Sequence, residues 1–199
     1  REFPAKPIGW LQLAAATGRG GDTNAAVEIL EAGLSKARPP VALRQELVRL
    51  ALGRMQAAED PALQRNIRRE AIALLRQVAE ELPGDMETLY ALGDLLVKDE
   101  QLEEAILIYE KIERLQPADL QVKQRLARTF LAMDDPPKAI AVLEALARDR
   151  QAPGNTHYYL AELYLQAGDS TNAAAHFRTA ADTSPGDPAP WLKLAALQA

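Results

Sequence analysis

The stretch METLYALGDLLVKDEQLEEAILIYEKIERLQP, residues 86–117, decides the fold. Leu89, Leu92, Gly93 and Leu96 recur at helical spacing in its first half; Ala105, Tyr109 and Ile112 do so in its second, and Pro117 closes it. The pattern then repeats every 34 residues. Ala105 is followed by Ala139 and Ala173, Tyr109 by Leu143 and Phe177, and Ile112 by Leu146 and Ala180. Leu92-Gly93 returns as Leu126-Ala127 and Leu160-Ala161, Leu96 as Phe130 and Tyr164, and Pro117 as Pro185. A fixed period of this size marks a repeat array, in which each unit buries its apolar face against its neighbour.

Carried backward, the same ruler lands on Ala71, Leu75, Val78 and Pro83, but 11 extra residues separate the halves of that unit. It spans 41–85, against 86–119, 120–153 and 154–187 for the regular units. Its second helix is expected from the Asp60-Pro61 start to Leu82, because Asp caps a helix and Pro fits the first turn. A first unit, 7–40, carries Trp10, Leu13, Ala14, Ala26, Leu30 and Gly33 at the same offsets, and residues 1–6 read as a linker. A partial unit, 188–199, repeats the spacing as Trp191, Leu194 and Ala195. Its helix is apolar where a closing helix turns a polar face outward, which predicts a longer natural chain. Turn chemistry agrees with paired helices. Asp134-Asp135-Pro136-Pro137 and Gly168-Asp169-Ser170 each stop one helix and cap the next, and Arg19-Gly20-Gly21-Asp22 offers glycines for a reversal. Connections this short make neighbouring helices antiparallel.

Composition narrows the function. The 199 residues are 48% hydrophobic but only 5% aromatic, a mixture suited to close-packed helices. There is no Cys, which removes disulfides, thiolate chemistry and Cys-based zinc sites. No apolar run is long enough for a membrane span. The net charge is −5, with the acidic excess lying in 86–199, and this disfavours nucleic acid. Catalytic constellations are missing as well. His157 and His176, the only histidines, stand 19 residues apart on different predicted helices. Ser35, Ser170 and Ser184 fall at turns, and no phosphate-binding loop or metal-ligand spacing occurs. The acidic run Asp94, Asp99, Glu100, Glu103 and Glu104 reads as a solvated face. An enzyme is not expected, nor a catalytic, metal or cofactor site.

The spacing Trp/Leu, Leu, Gly/Ala, Tyr/Phe, Ala, Tyr/Phe/Leu, Ala, Pro resembles the tetratricopeptide repeat (TPR) from about Pro7 to Ala199. The resemblance implies an all-α, right-handed superhelical solenoid of antiparallel helix hairpins, with about five repeats and a truncated C-terminal helix. Ala14, Gly93, Ala127 and Ala161 then lie where helices approach closely, opposite Ala26, Ala71, Ala105, Ala139 and Ala173. It also implies a concave surface built from the first helix of each hairpin. There it places Gln45, Arg49, Tyr90, Asp94 and Lys98, then Gln124, Arg125, Arg128, Tyr158, Tyr159, Glu162 and Gln166. Tyrosines among Arg, Gln and acids suit a peptide-binding groove, with Tyr90 and Tyr158 foremost. The Lys/Asn clamp of co-chaperone arrays is not matched, since its positions hold Leu11, Ala15, Gln45, Arg49, Tyr90 and Asp94.

The expected function is a scaffold of bacterial style that binds a peptide segment or partner protein in its groove. Two alternatives remain open. One is self-association through the apolar face of Trp191, Leu192, Leu194 and Leu197; the other is a regulatory appendage of an enzyme encoded outside this chain.

Overall fold

The computed structural model describes residues 6–149, 152–153 and 155–197. Most of the 1–6 linker lies outside that range. Among the described residues there are eleven helices and no strand. The chain forms two compact units, 1–108 and 109–199.

Unit 1 contains α1 (Pro7–Arg19), α2 (Thr23–Leu34), α3 (Val41–Ala57), α4 (Pro61–Glu81), α5 (Met86–Lys98) and the start of α6 (Leu102–Leu115). Unit 2 contains the rest of α6, then α7 (Leu120–Ala132), α8 (Pro136–Ala147), α9 (Thr156–Gln166), α10 (Ser170–Thr183) and α11 (Pro188–Leu197). Aspartates set most of the starts. Asp22, Asp60, Asp85, Asp119, Asp135 and Asp169 each accept a hydrogen bond from a first-turn backbone N–H, and proline stands in the first turn of α1, α4 and α8.

In four of the five hairpins, all but α3–α4, one left-handed residue turns the chain. Gly21 (φ 92°), Glu100 (φ 62°), Asp134 (φ 58°) and Gly168 (φ 80°) fill this place, the last three spaced 34 apart. Only two of the four are glycine, so this strained position is visible in the period rather than in composition.

The small residues sit where the helices approach. Ala14, Ala26, Ala71, Ala105, Ala127, Ala139, Ala161 and Ala173 are all buried. In unit 1, Trp10, Leu30, Leu43 and Leu47 share one core cluster, and Trp10 and Leu43 press against Gly33, filling the space a side chain there would take. In unit 2, Phe177 packs with Ala161, Ala173, Ala181 and Leu194.

The acidic run is not simply solvated. Arg68 donates to the carbonyl of Lys98 at 2.7 Å, and Arg68 and Arg69 both lie 3.6 Å from Asp99, whose side chain is 6% exposed. Arg76 grips Glu104 with two nitrogens, at 2.8 and 2.6 Å. The longer α4 therefore lays a row of arginines against the α5–α6 turn. This also corrects the reading of Asp99 and Glu104 as free surface charges.

Candidate docking site

Unit 2 holds a cavity of about 600 Å³ between α7, α8 and α9. Ala127, Leu131, Leu143 and Leu163 make its apolar wall, and Gln124, Arg128, Tyr159, Glu162 and Gln166 line it from α7 and α9. Five of the residues expected at a concave surface, Gln124, Arg128, Tyr159, Glu162 and Gln166, therefore share one hollow. They meet because positions four residues apart on α7 and three or four apart on α9 share a helix face.

The polar groups differ in availability. Glu162 is paired with Lys193 of α11 at 2.9 Å, a contact that raises the Lys193 pKa. Arg128 is exposed and forms no ion pair among the described residues. Tyr159 is 48% exposed. Thr156, at the start of α9, lines the cavity while 1% exposed, and its Oγ1 has no hydrogen-bond partner among the described residues. A buried hydroxyl left unpaired costs about 1–3 kcal/mol, so a ligand acceptor or donor reaching it would gain that much. Sequence reasoning missed Thr156, because a threonine in a first helical turn reads as local capping.

The other expected residues lie elsewhere. Tyr158 is half-buried with its ring edge-on to Phe177, centroids 5.5 Å apart, as part of the core beneath α9. Arg125 is half-buried on α7, its Nη1 3.4 Å from Gln121. In unit 1, Gln45 and Arg49 line a separate hollow of about 450 Å³ between α3, α4 and α5, together with Asp85, Thr88 and Ala91. Glu46 of the same helix binds the Arg49 guanidinium at 2.8 and 2.5 Å, and this hydrogen bonding raises the arginine pKa. Tyr90 and Asp94 are half-buried on α5, outside that lining.

The histidines do not stay apart. Their separation of 19 residues indicates no partnership, yet the α9–α10 hairpin brings them together, Nδ1 to Nδ1 at 2.9 Å. Among the described residues no group of three or more His, Cys, Asp or Glu could hold a metal ion, and no helix is long and apolar enough to cross a membrane.

Two family models, both described as tetratricopeptide repeat, match the chain over residues 62–124 and 125–188. Together they cover more than half of it. Among solved structures, a MamA protein matches with a TM-score of 0.67 at 16% identity, covering 90% of this chain and 92% of that one. MamA from residue 41 onward, of Desulfovibrio magneticus RS-1, gives 0.63 at 16% identity, with 94% and 99% covered. YrrB, a TPR protein with an unusual peptide-binding site, gives 0.65 at 14% identity, with 95% and 92% covered. Identities this low speak for the fold alone. No curated protein sequence matches. The repeating hairpins, the buried small residues and the two adjoining family matches agree: this chain belongs to the tetratricopeptide repeat family.

Proposed function

We propose that the chain is a protein-interaction scaffold whose unit-2 cavity receives a peptide segment of a partner protein. One observation carries the reading. A hollow of about 600 Å³ combines an apolar wall with an exposed Tyr159 and with Arg128 and the Thr156 hydroxyl, which have no ion-pair or hydrogen-bond partner, respectively, among the described residues. Such a mixture suits an apolar side chain held in place by polar contacts to its flanking backbone. Gln124 and Gln166 add amide groups beside it. Glu162 is a further proposed contact within the same cavity, while Arg125, Tyr158 and, in unit 1, Gln45, Arg49, Tyr90 and Asp94 remain proposed contact residues at their own surfaces.

Tyr158 is a poor probe, because truncating it would also strip Phe177 of a packing partner. The test therefore uses Tyr159→benzoylphenylalanine as a photo-crosslinker in source-cell extract. A discrete crosslinked partner should form and be lost when Arg128→Ala and Gln124→Ala are added. A partner captured equally well with both alanines in place would refute docking at this cavity.

A second reading has one specific observation behind it. On α11, Trp191 and Leu192 are 48% and 69% exposed, an apolar surface that a second copy could cover. Light scattering across a concentration series of the wild type and of Trp191→Ser with Leu192→Ser decides it. A dimer abolished by the double substitution supports self-association, and a monomer throughout rejects it.

A further inference from the structure

The two histidines of this chain meet head-on. His157 of α9 and His176 of α10 place their Nδ1 atoms 2.9 Å apart, with ring centroids 5.2 Å apart and planes inclined by 25°. That centroid separation is roughly two ring radii plus one N···N hydrogen bond, so the nitrogens point at each other. A neutral imidazole has one N–H and one acceptor nitrogen, so one ring donates here and the other accepts. With both rings protonated every ring nitrogen is a donor, and two cationic N–H groups would collide. The contact tolerates one shared proton and rejects a second.

The surroundings supply limited relief. On α8, Glu144 favours charge on His176, but the carboxylate already accepts the Tyr164 hydroxyl and lies 3.9 Å from Arg148. The Tyr164 ring stacks parallel to His176 at 5.6 Å, and its hydroxyl is pushed up to about 12, first by the Glu144 hydrogen bond. On α11, Lys193 is turned toward Glu162. Burial disfavours the charged form of both rings, and for His157 the neighbouring His176 adds to the effect.

We propose that the His157–His176 pair is a proton-operated latch, which holds α9 to α10 while the rings share one proton and releases the hairpin when both are charged. Both groups titrate below their ordinary 6.5 in the folded chain. Protons then bind preferentially to the opened state. The contribution is therefore complete above about pH 6.5 and lost as pH falls below it. Because α9 also carries Thr156, Tyr159 and Glu162, release would dismantle the cavity; that consequence rests on the docking reading, whereas the latch does not.

Unit 1 contains no histidine and is an internal reference within the same chain. Amide hydrogen exchange of the full chain, in EDTA and corrected for intrinsic rates, is compared at pH 7.5 and 5.0. Protection of α9 and α10 should fall about tenfold or more relative to α3 and α4. His157→Gln, His176→Gln and the double variant should each lose most of that difference. An equal response in all four proteins, or no relative loss in the wild type, would overturn the latch. Nitrogen-15 titration of the wild-type imidazoles keeps the test decisive even if a variant fails to fold: two rings titrating independently at their ordinary value would sink the proposal. A relative loss of protection without any Tyr159 crosslink would uphold the latch and reject the docking reading.

Discussion

Two glycines should respond in opposite directions to the same substitution. Gly33 lies in α2 and Gly53 in α3. In a helix interior, alanine is favoured over glycine by about 0.5–1 kcal/mol, mostly because glycine loses more backbone entropy. At Gly53 an added Cβ meets nothing within 4 Å, so Gly53→Ala should realise that gain. At Gly33 the same carbon would stand 2.9 Å from Cγ and Cδ2 of Trp10 and from Cδ1 of Leu43. Carbon pairs are most favourable at roughly 3.5–4.0 Å, so the neighbours would have to retreat by about 0.6 Å or more. Leu43 can rotate its methyl, but the Trp10 atoms lie at the root of a rigid ring that is 2% exposed. Overpacking of this kind costs about 1–3 kcal/mol, which exceeds the helical gain. The expected net change for Gly33→Ala is a loss of about 0.5–2 kcal/mol. In a protein of this size a change of 1 kcal/mol moves Tm by about 2–4 °C. Thermal and urea melts followed by circular dichroism should therefore show Gly33→Ala several degrees below, and Gly53→Ala slightly above, the wild type. Combining Gly33→Ala with Trp10→Leu should shrink the penalty of the alanine. A Gly33→Ala protein as stable as Gly53→Ala would refute the account of indole packing against a bare backbone.

Four further substitutions test the same structure. Gly168→Ala, at φ 80° with free space around the new carbon, should lose about 1–2 kcal/mol from backbone strain alone, while Asp134→Gly at φ 58° should be neutral or stabilising; melts of both report it. Ala139→Leu, at a fully buried contact, should cost about 1–3 kcal/mol by overpacking, and an unshifted melt would disprove that contact. Arg76 holds the Glu104 carboxyl below its ordinary 4.5, chiefly through their hydrogen bond. Stability from this pair is thus present above that pH and disappears as pH falls through the lower folded value. Glu104→Gln should accordingly flatten the decline of Tm between about pH 5 and pH 3.

Much of this protein was legible in its amino acids because the relevant interactions are local or periodic. Asp60-Pro61, Asp135-Pro136 and Gly168-Asp169 carry their own turn and cap chemistry, since the hydrogen bonds involved span three residues or fewer. The 34-residue recurrence of Ala105, Ala139 and Ala173 reported close helix contacts, because only small side chains fit there. Glu100 and Asp134 were harder to see, as their left-handed backbone is imposed by the hairpin rather than preferred by the residue.

Pairings across helices belonged to the tertiary structure alone. Nothing in the spacing of His157 and His176 indicates that their Nδ1 atoms meet, since that depends on how α9 and α10 cross and which rotamers the core allows. Adjacent tyrosines on α9 part company for the same reason: packing sends Tyr158 against Phe177 and leaves Tyr159 at the cavity. Asp99 changed from a surface charge to a buried anchor because a helix enlarged by insertion brought Arg68 and Arg69 to it. The amino-acid order by itself determined the repeat, the hairpins and their small-residue seams; three-dimensional packing decided which polar side chains are paired, which are free and which are left waiting for a partner.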